Sequence, residues 1–157
     1  MPRMYTVPLD NAAVTLAGGD ADMWELDAAA DKPIELVGIK IAITSEVQEG
    51  QEEWLRFIVV RGNTTTGNGT TATPAPVSPI DTAAGFAAKT YGTTPASAGT
   101  AVTLDTFPVQ VRAGDQIIYP DGCSFWTSGT LLLCVRLAAA VVDDLSLSGN
   151  IWVREYP

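Results

Sequence analysis

The residue types that most often carry enzyme chemistry are scarce in this chain. Histidine is absent from its 157 residues, so the chain by itself cannot form a Ser-His-Asp or Cys-His arrangement or a histidine-ligated metal site. The two cysteines, Cys123 and Cys134, lack the paired spacing of zinc ligands. We expect two small buried thiols, with one cross-link between neighbouring strands as the alternative. We therefore predict no bound metal and no cofactor.

Paired carboxylates are the chemistry that remains, because a glycosidase needs only two acids on either side of a glycosidic bond. Two adjacent acidic pairs occur, Glu52-Glu53 and Asp143-Asp144. Neighbouring residues of an extended strand point to opposite faces, so neither pair presents two carboxylates to one bond. We interpret both pairs as solvated loop charge and predict that the protein is not an enzyme. A carboxylate-based glycan hydrolase ranks last among our hypotheses.

Two glycine-containing loops match ligand sites only in part. The loop from Gly18 to Asp22 offers carboxylates of the kind that calcium prefers, but it lacks the ligand spacing of an EF-hand, and a tight turn explains its glycines equally well. The segment GNTTTGNG, which begins at Gly62, is not followed by the Gly-Lys-Ser/Thr that a phosphate loop requires. Nucleotide binding is therefore unsupported.

Aromatic side chains supply candidates for binding. Trp126 lies in GCSFWTSG, a segment typical of a loop, and is the best single candidate for a binding anchor. The other tryptophans, Trp24, Trp54 and Trp152, fall in predicted strands, where core or interface packing is the commoner role. Stacking against a sugar ring, as in carbohydrate-binding modules, is the alternative role for these rings.

Two arginines interrupt apolar segments that are typical of buried strands. Arg56 lies in WLRFIVVRG and Arg136 lies in LLLCVRLAAA. A charge in such a strand needs a partner, because burying it unpaired is costly. We predict that both are buried or interfacial charge anchors, with a satisfied ion pair within the chain as the alternative.

The elements that would position these residues are β-strands. Short apolar segments rich in β-branched residues recur between turn signals, without a sustained 3.6-residue period. The segments number eight, as in a jelly roll, and we predict an all-β, single-domain antiparallel β-sandwich that is jelly-roll-like. The predicted strands are Met4 to Leu9, Asp22 to Ala28, Ile34 to Thr44, Trp54 to Arg61, Val102 to Val111, Gln116 to Tyr119, Leu131 to Ala138 and Leu145 to Glu155.

One long segment differs from the rest of the chain. From Gly62 to Thr100 the sequence is dominated by Thr, Ala, Gly and Pro, a composition that lacks the bulk to build its own core. A connection of this length inside a compact domain is usually functional or packed on something else. We predict a long excursion, with a short strand or helix near Ala83 to Tyr91, that lies on a neighbouring subunit.

Composition limits the partners. Eighteen acidic and nine basic residues give a formal net charge of −9, which repels phosphate backbones and anionic lipid. We therefore expect neither nucleic acid nor a membrane as partner. No apolar run approaches the roughly 20 residues of a spanning helix, and the first residues lack the apolar centre of a signal peptide, so we expect a soluble protein made in the cytoplasm.

Several segments together resemble a known group of proteins. They are RMYTVPLDNAAVT, DKPIELVGIKIAITSEVQEGQEEWLRFIVVRG, the Thr-rich excursion and LLLCVRLAAAVVDDLSLSGNIWVREYP. They resemble a family of small proteins encoded among the structural genes of tailed bacteriophages and prophages, described as virion, head-decoration or cement-like proteins. The most specific parts are EEWLRFIVVRG with the Thr-rich loop after it, and VRLAAAVVDDLSLSGNIWVRE.

The resemblance implies a virion component without catalytic residues. Phage decoration proteins commonly have sandwich or jelly-roll folds and often assemble as trimers on local symmetry axes of the capsid. Our leading hypothesis is therefore a capsid decoration or cement protein, made in the cytoplasm of the host bacterium, that binds the major capsid protein or another virion protein. The alternatives are a virion-displayed carbohydrate-binding module and a tail-associated accessory protein.

The hypothesis assigns contact residues. Thr64 to Pro76 is the predicted contact loop, beside the anchors Arg56, Arg136 and Trp126. Within this loop we assign the contact to Thr64, Thr65, Thr66, Pro74 and Pro76.

Overall fold

The computed structural model describes residues 1–15, 19–44, 53–138 and 141–157 of the chain. Within these residues it contains twelve β-strands and no helix, and hence no helix that could cross a membrane. The strands are β1 (Arg3–Val14), β2 (Ala21–Asp27), β3 (Ile34–Ile43), β4 (Trp54–Asn63), β5 (Thr70–Ala72), β6 (Ala75–Pro76), β7 (Ala87–Gly92), β8 (Val102–Gln110), β9 (Asp115–Ile118), β10 (Phe125–Thr127), β11 (Leu132–Leu137) and β12 (Leu145–Glu155).

The strands form two antiparallel sheets. The first has the order β10-β3-β12-β1-β6, with β9 also paired to β3, and the second has the order β5-β7-β2-β11-β4-β8. The first long strand pairs with the last, and the second pairs with the last but one. The eight predicted strands divide as β1-β12-β3-β9 in one sheet and β2-β11-β4-β8 in the other. This is the jelly-roll arrangement, so the predicted all-β sandwich is confirmed.

Alternation along the strands builds the core between the sheets. In β12 the side chains of Leu145, Leu147, Ile151 and Val153 are buried, and the residues between them are more exposed. The indole N–H of Trp24 on β2 donates to the Val7 carbonyl on β1 at 2.9 Å, which ties one sheet to the other. A fully buried tryptophan with a satisfied N–H is a stable centre for such a core.

All eight predicted strands are present, and most of their ends agree within two residues. The exception is β1, which extends to Val14 past a register shift between Leu9 and Ala12. The sequence missed β5, β6 and β10, whose segments are two or three residues long and have weak apolar patterns. The strand or helix expected near Ala83 to Tyr91 is β7.

Candidate functional site

The excursion, which we call the arm (residues 62–100), joins β4 to β8 and folds onto this chain's own sheets. Its strand β7 pairs with β2, its strand β5 pairs with β7, and its strand β6 pairs with β1. Phe86 is buried against Tyr5, with ring centroids 5.6 Å apart. The arm is therefore held by its own chain, and because its outward surface is exposed, the predicted contact with a neighbouring subunit stays a prediction.

A first ion pair holds the arm at Ala96. The Asp22 carboxylate on β2 accepts the Ala96 N–H at 2.7 Å and the Arg136 Nε at 2.6 Å. The Arg136 guanidinium in turn donates to the Ala96 carbonyl at 3.0 Å, and the Asn63 side-chain amide donates to the same carbonyl at 2.8 Å. The two charges thus bind both backbone groups of one arm residue.

A second ion pair repeats this arrangement at Gly67. The Glu25 carboxylate accepts the Gly67 N–H at 2.7 Å, and the Lys89 ammonium donates to the Gly67 carbonyl at 2.9 Å. Lys89 and Glu25 lie 3.7 Å apart. A Cβ on Gly67 would collide with the Thr94 carbonyl and crowd the Ala96 N–H, so glycine is required where the arm approaches the sheet.

We call the pair Asp22–Arg136 at Ala96 and the pair Glu25–Lys89 at Gly67 the two clamps. They explain why β2 is buried on both faces. Trp24 and Leu26 face the core, whereas Asp22 and Glu25 face the arm. A buried carboxylate is stable only when it is paired and hydrogen-bonded, and each of these carboxylates has a cation and a backbone N–H. The arm is therefore fixed in one position although it lacks a core of its own.

The structure also shows the surroundings of three sites that the sequence analysis named. Arg136 is a charge paired within the chain, the stated alternative to an interface anchor. Arg56 is exposed and donates to the Ala138 carbonyl at 2.8 Å, so it is not a buried charge, and its predicted role at an interface stays a prediction. Asp22, a member of the calcium-like loop, is occupied by Arg136, and Gly18 lies outside the described residues.

The outward surface of the arm carries the predicted contact residues. Thr64, Thr65 and Thr66 are exposed, and Pro74 and Pro76 are half-buried. The apolar side chains Val77 and Ile80, further along the arm, are also exposed, with exposed fractions of 57% and 90%. No residue from Gly62 to Ile80 is charged. We call the outward surface of residues 64–80 the arm face.

Trp126 lies elsewhere, on β10 rather than in the predicted loop. Pairing with β3 places Trp126 opposite Glu35, on the outer face of the sheet, where 39% of it is exposed. Its ring lies against Tyr156, with centroids 4.4 Å apart and planes at 30°. A groove of about 290 Å³ runs beside it. The lining residues of this Trp126 groove are Pro33, Arg61, Trp126, Thr127, Ser128 and Leu131.

A buried carboxylate organises the support behind Trp126. Glu35 accepts hydrogen bonds from Ser124, from the Tyr156 hydroxyl at 2.7 Å and from Arg154 at 3.0 Å. Burial alone would raise the pKa of Glu35, but the hydrogen bonds from Ser124 and Tyr156 and the charge of Arg154 outweigh it and hold the pKa below its ordinary value. Glu35 therefore stays ionised and fixes the aromatic pair.

The cysteines and acidic pairs show no catalytic arrangement in the described part of the chain. Both thiols are free: Cys123 is exposed, contrary to expectation, and Cys134 is buried beneath the arm against Ala96. Glu53 accepts the Val142 N–H, whereas Glu52 lies outside the described residues. No group of three or more metal-ligating side chains occurs among the residues that the structure describes.

Sequence reasoning missed the clamp residues Asp22, Glu25 and Lys89. A usable signal was present, because ADMWELD places Asp22 and Glu25 between apolar residues of one strand just as LLLCVRLAAA places Arg136 in another. Oppositely charged residues isolated in apolar strands predict an ion pair between those strands. Gly67 and Ala96 act through backbone groups, so their side chains give no signal.

No protein-family model and no curated protein sequence matches the chain. Two solved structures of infectious bursal disease virus are similar over 99% of this chain: the T13 viral particle, at 16% identity with a TM-score of 0.20, and the VP2 subviral particle, at 12% identity with a TM-score of 0.13. The chain spans only 40% and 42% of those chains. Similarity at these scores carries no argument about function.

Proposed function

We propose that this protein is a non-enzymatic structural component of a bacteriophage particle that binds across neighbouring capsid subunits through its arm face. The observation that carries the proposal is a rigidly held, uncharged surface on a chain whose net charge is −9. The partner is the major capsid protein or another virion protein, and the site of action is the virion after synthesis in the bacterial cytoplasm.

The composition of the arm face favours contact with protein. The centres of protein interfaces are depleted of charge, and Val77 and Ile80 supply exposed apolar side chains within a strip of Thr, Pro and Ala. The clamp at Gly67 and the pairing of β5 with β7 and of β6 with β1 hold this surface before binding, so little conformational entropy is lost when it meets a partner. A preorganised, uncharged strip is suited to adhesion.

The fold agrees with what the sequence resemblance implies. The segment EEWLRFIVVRG includes most of β4, which ends where the arm begins, and SLSGNIWVRE lies within β12 at the centre of the other sheet. A decoration protein stabilises a particle because it binds the assembled shell and not the free subunits, so mass action favours assembly. Trimers on local symmetry axes are the expected form of assembly.

The test is to mix the purified protein with empty capsids of the phage that encodes it. Particles are separated from free protein on a gradient and imaged by cryo-electron microscopy. We expect stoichiometric density on the shell with the arm face at the contact. Density on the tail would instead support a tail-associated accessory protein, and protein that stays free as a stable oligomer would overturn the proposal.

Matched variants locate the contact. Val77→Glu with Ile80→Glu places charge on the arm face and is expected to weaken capsid binding at least tenfold, because a charge would have to be desolvated at the interface. Val102→Glu is the control, since Val102 is 50% exposed on β8, outside the arm. Equal losses for both variants would show that charge alone, not the arm face, determines binding.

A further inference from the structure

We propose that the Trp126 groove binds a neutral pyranose ring of a glycan. The proposal goes beyond the adhesive function and does not depend on it, because the groove shares no residue with the arm face. It rests on the chemistry of the lining, on the exposure of the indole ring and on the support beneath that ring.

The groove offers an aromatic platform of the kind that a sugar ring requires. One side of Trp126 packs on Tyr156, and the remaining exposed indole surface borders the groove. The axial C–H groups of a pyranose carry partial positive charge, and the face of an indole ring carries the opposite quadrupole charge. Pro33 and Leu131 add apolar surface on the other walls of the groove.

Polar groups at the rim match the hydroxyls of a sugar. Arg61 is held in place because it donates to the Trp126 carbonyl at 2.8 Å, and its guanidinium carries further donors. The Ser128 hydroxyl also lines the groove. The indole N–H of Trp126 has no hydrogen-bond partner among the described residues. A few fixed polar groups in a largely apolar groove are typical of small-ligand sites.

The Trp126 ring is held in place by residues that lie on its side away from the groove. Glu35 holds the Tyr156 hydroxyl, Arg154 and Ser124, none of which lines the groove. The buried Thr127 hydroxyl donates to the Leu131 carbonyl at 2.7 Å and so fixes the turn that forms one wall. Support of this kind reduces the entropy lost when a ligand binds.

Charge and size restrict the ligand class. Arg61 is the one charged residue among the groove's lining residues, and the nearby Glu35 is buried and paired. On a chain with net charge −9 an acidic polysaccharide would be repelled, so a neutral sugar is the better fit. The volume of about 290 Å³ lies just below the roughly 300–1,000 Å³ range of sites for drug-sized ligands, which suits a single sugar ring at the end of an oligosaccharide.

The first experiment follows the tryptophan indole N–H signals by NMR in the ¹⁵N-labelled full chain. The probes are methyl hexopyranosides and neutral oligosaccharides from bacterial surface polysaccharides. We expect at least one probe to shift the Trp126 signal saturably and leave the Trp54 signal unchanged. Trp54 is the internal control, because it is 62% exposed but begins β4 at the opposite end of the sandwich.

Variants then test the assignment. Trp126→Ala is expected to weaken sugar binding at least tenfold, Trp126→Phe to retain part of it, and Trp54→Ala to leave it unchanged. A panel in which no probe shifts Trp126 overturns the proposal, as does unaltered binding by a folded Trp126→Ala variant. If Trp126→Ala weakens capsid binding while no sugar binds, the groove is a protein contact and the sugar assignment is wrong.

Discussion

At the scale of single residues, Glu35 shows how one carboxylate can stabilise a surface. It is 3% exposed and holds three partners, Ser124, Arg154 and Tyr156, that come from two separate parts of the chain. Its pKa is lowered in the folded protein. A carboxylate with a lowered folded pKa contributes stability above its unfolded pKa and loses that contribution as the pH falls through the folded pKa.

Replacing Glu35 by Gln tests this linkage. The variant lacks the charge, so it is expected to have a lower free energy of unfolding at pH 7, and the gap from wild type should shrink as the pH falls below about 4. Urea denaturation at a series of pH values measures the gap. Asp121→Asn is the control, because Asp121 lies 3.7 Å from Arg154 but is almost fully exposed. A gap that stays constant down to pH 3 contradicts the prediction.

At the scale of elements, the arm is held by polar contacts as well as by apolar burial. Each clamp gives an arm residue a donor and an acceptor, much as a neighbouring strand would. Breaking a buried ion pair by removal of one partner typically costs about 3–5 kcal/mol. The position of the arm is therefore sensitive to single changes, although the core between the sheets is formed by other residues.

Gly67→Ala tests how the arm is held. The added methyl group would displace the arm from Glu25 and expose Cys134, whose pKa is raised by burial and by the nearby carboxylates Asp22 and Glu25. We expect iodoacetamide to label Cys134 at least tenfold faster than in wild type, as measured by mass spectrometry.

Two controls accompany this measurement. Cys123 is exposed and should be labelled at the same rate in every variant. Gly19→Ala should leave Cys134 as slow as in wild type, because no atom lies within 4 Å of a Cβ at that position. Slow labelling of Cys134 in Gly67→Ala would show that Gly67 is not needed to hold the arm.

At the scale of the whole molecule, the sheet edges on the two sides of the sandwich are protected in different ways. On the side of β1 and β2 the arm supplies the added strands β5, β6 and β7. On the other side β8 is an edge strand of nine residues. Its Pro108 has no N–H, and the Thr106 N–H is taken by the Asp105 carboxylate at 2.8 Å. Edge strands protected in this way resist pairing with other copies.

Pro108→Thr tests the protection of this edge. Because a proline inside a paired strand directs its nitrogen to the open side, the substitution restores a backbone donor there. We expect self-association that rises with protein concentration, measured by sedimentation velocity. Thr106→Val keeps the backbone N–H and its Asp105 contact and serves as the control. Equal sedimentation of wild type and Pro108→Thr would contradict the role assigned to Pro108.

Much of the fold could be predicted because strand patterns are local. The alternation in β12 and the apolar runs of β4 and β11 are readable in any short window of the sequence. The path of the arm could not be predicted in this way, since β5 and β6 have almost no apolar pattern. The environment of Trp126 was missed for a related reason, because β10 is only three residues long.

By itself the sequence determined the all-β class, the eight jelly-roll strands, the lack of histidine chemistry and the uncharged character of the arm face. The tertiary structure alone decided that Asp22 pairs with Arg136, that Glu25 and Lys89 bind Gly67, and that the arm covers its own sheet. The reason is physical: alternation and charge are properties of neighbouring residues, whereas a clamp joins backbone and side chains that lie tens of residues apart and meet only in the folded chain.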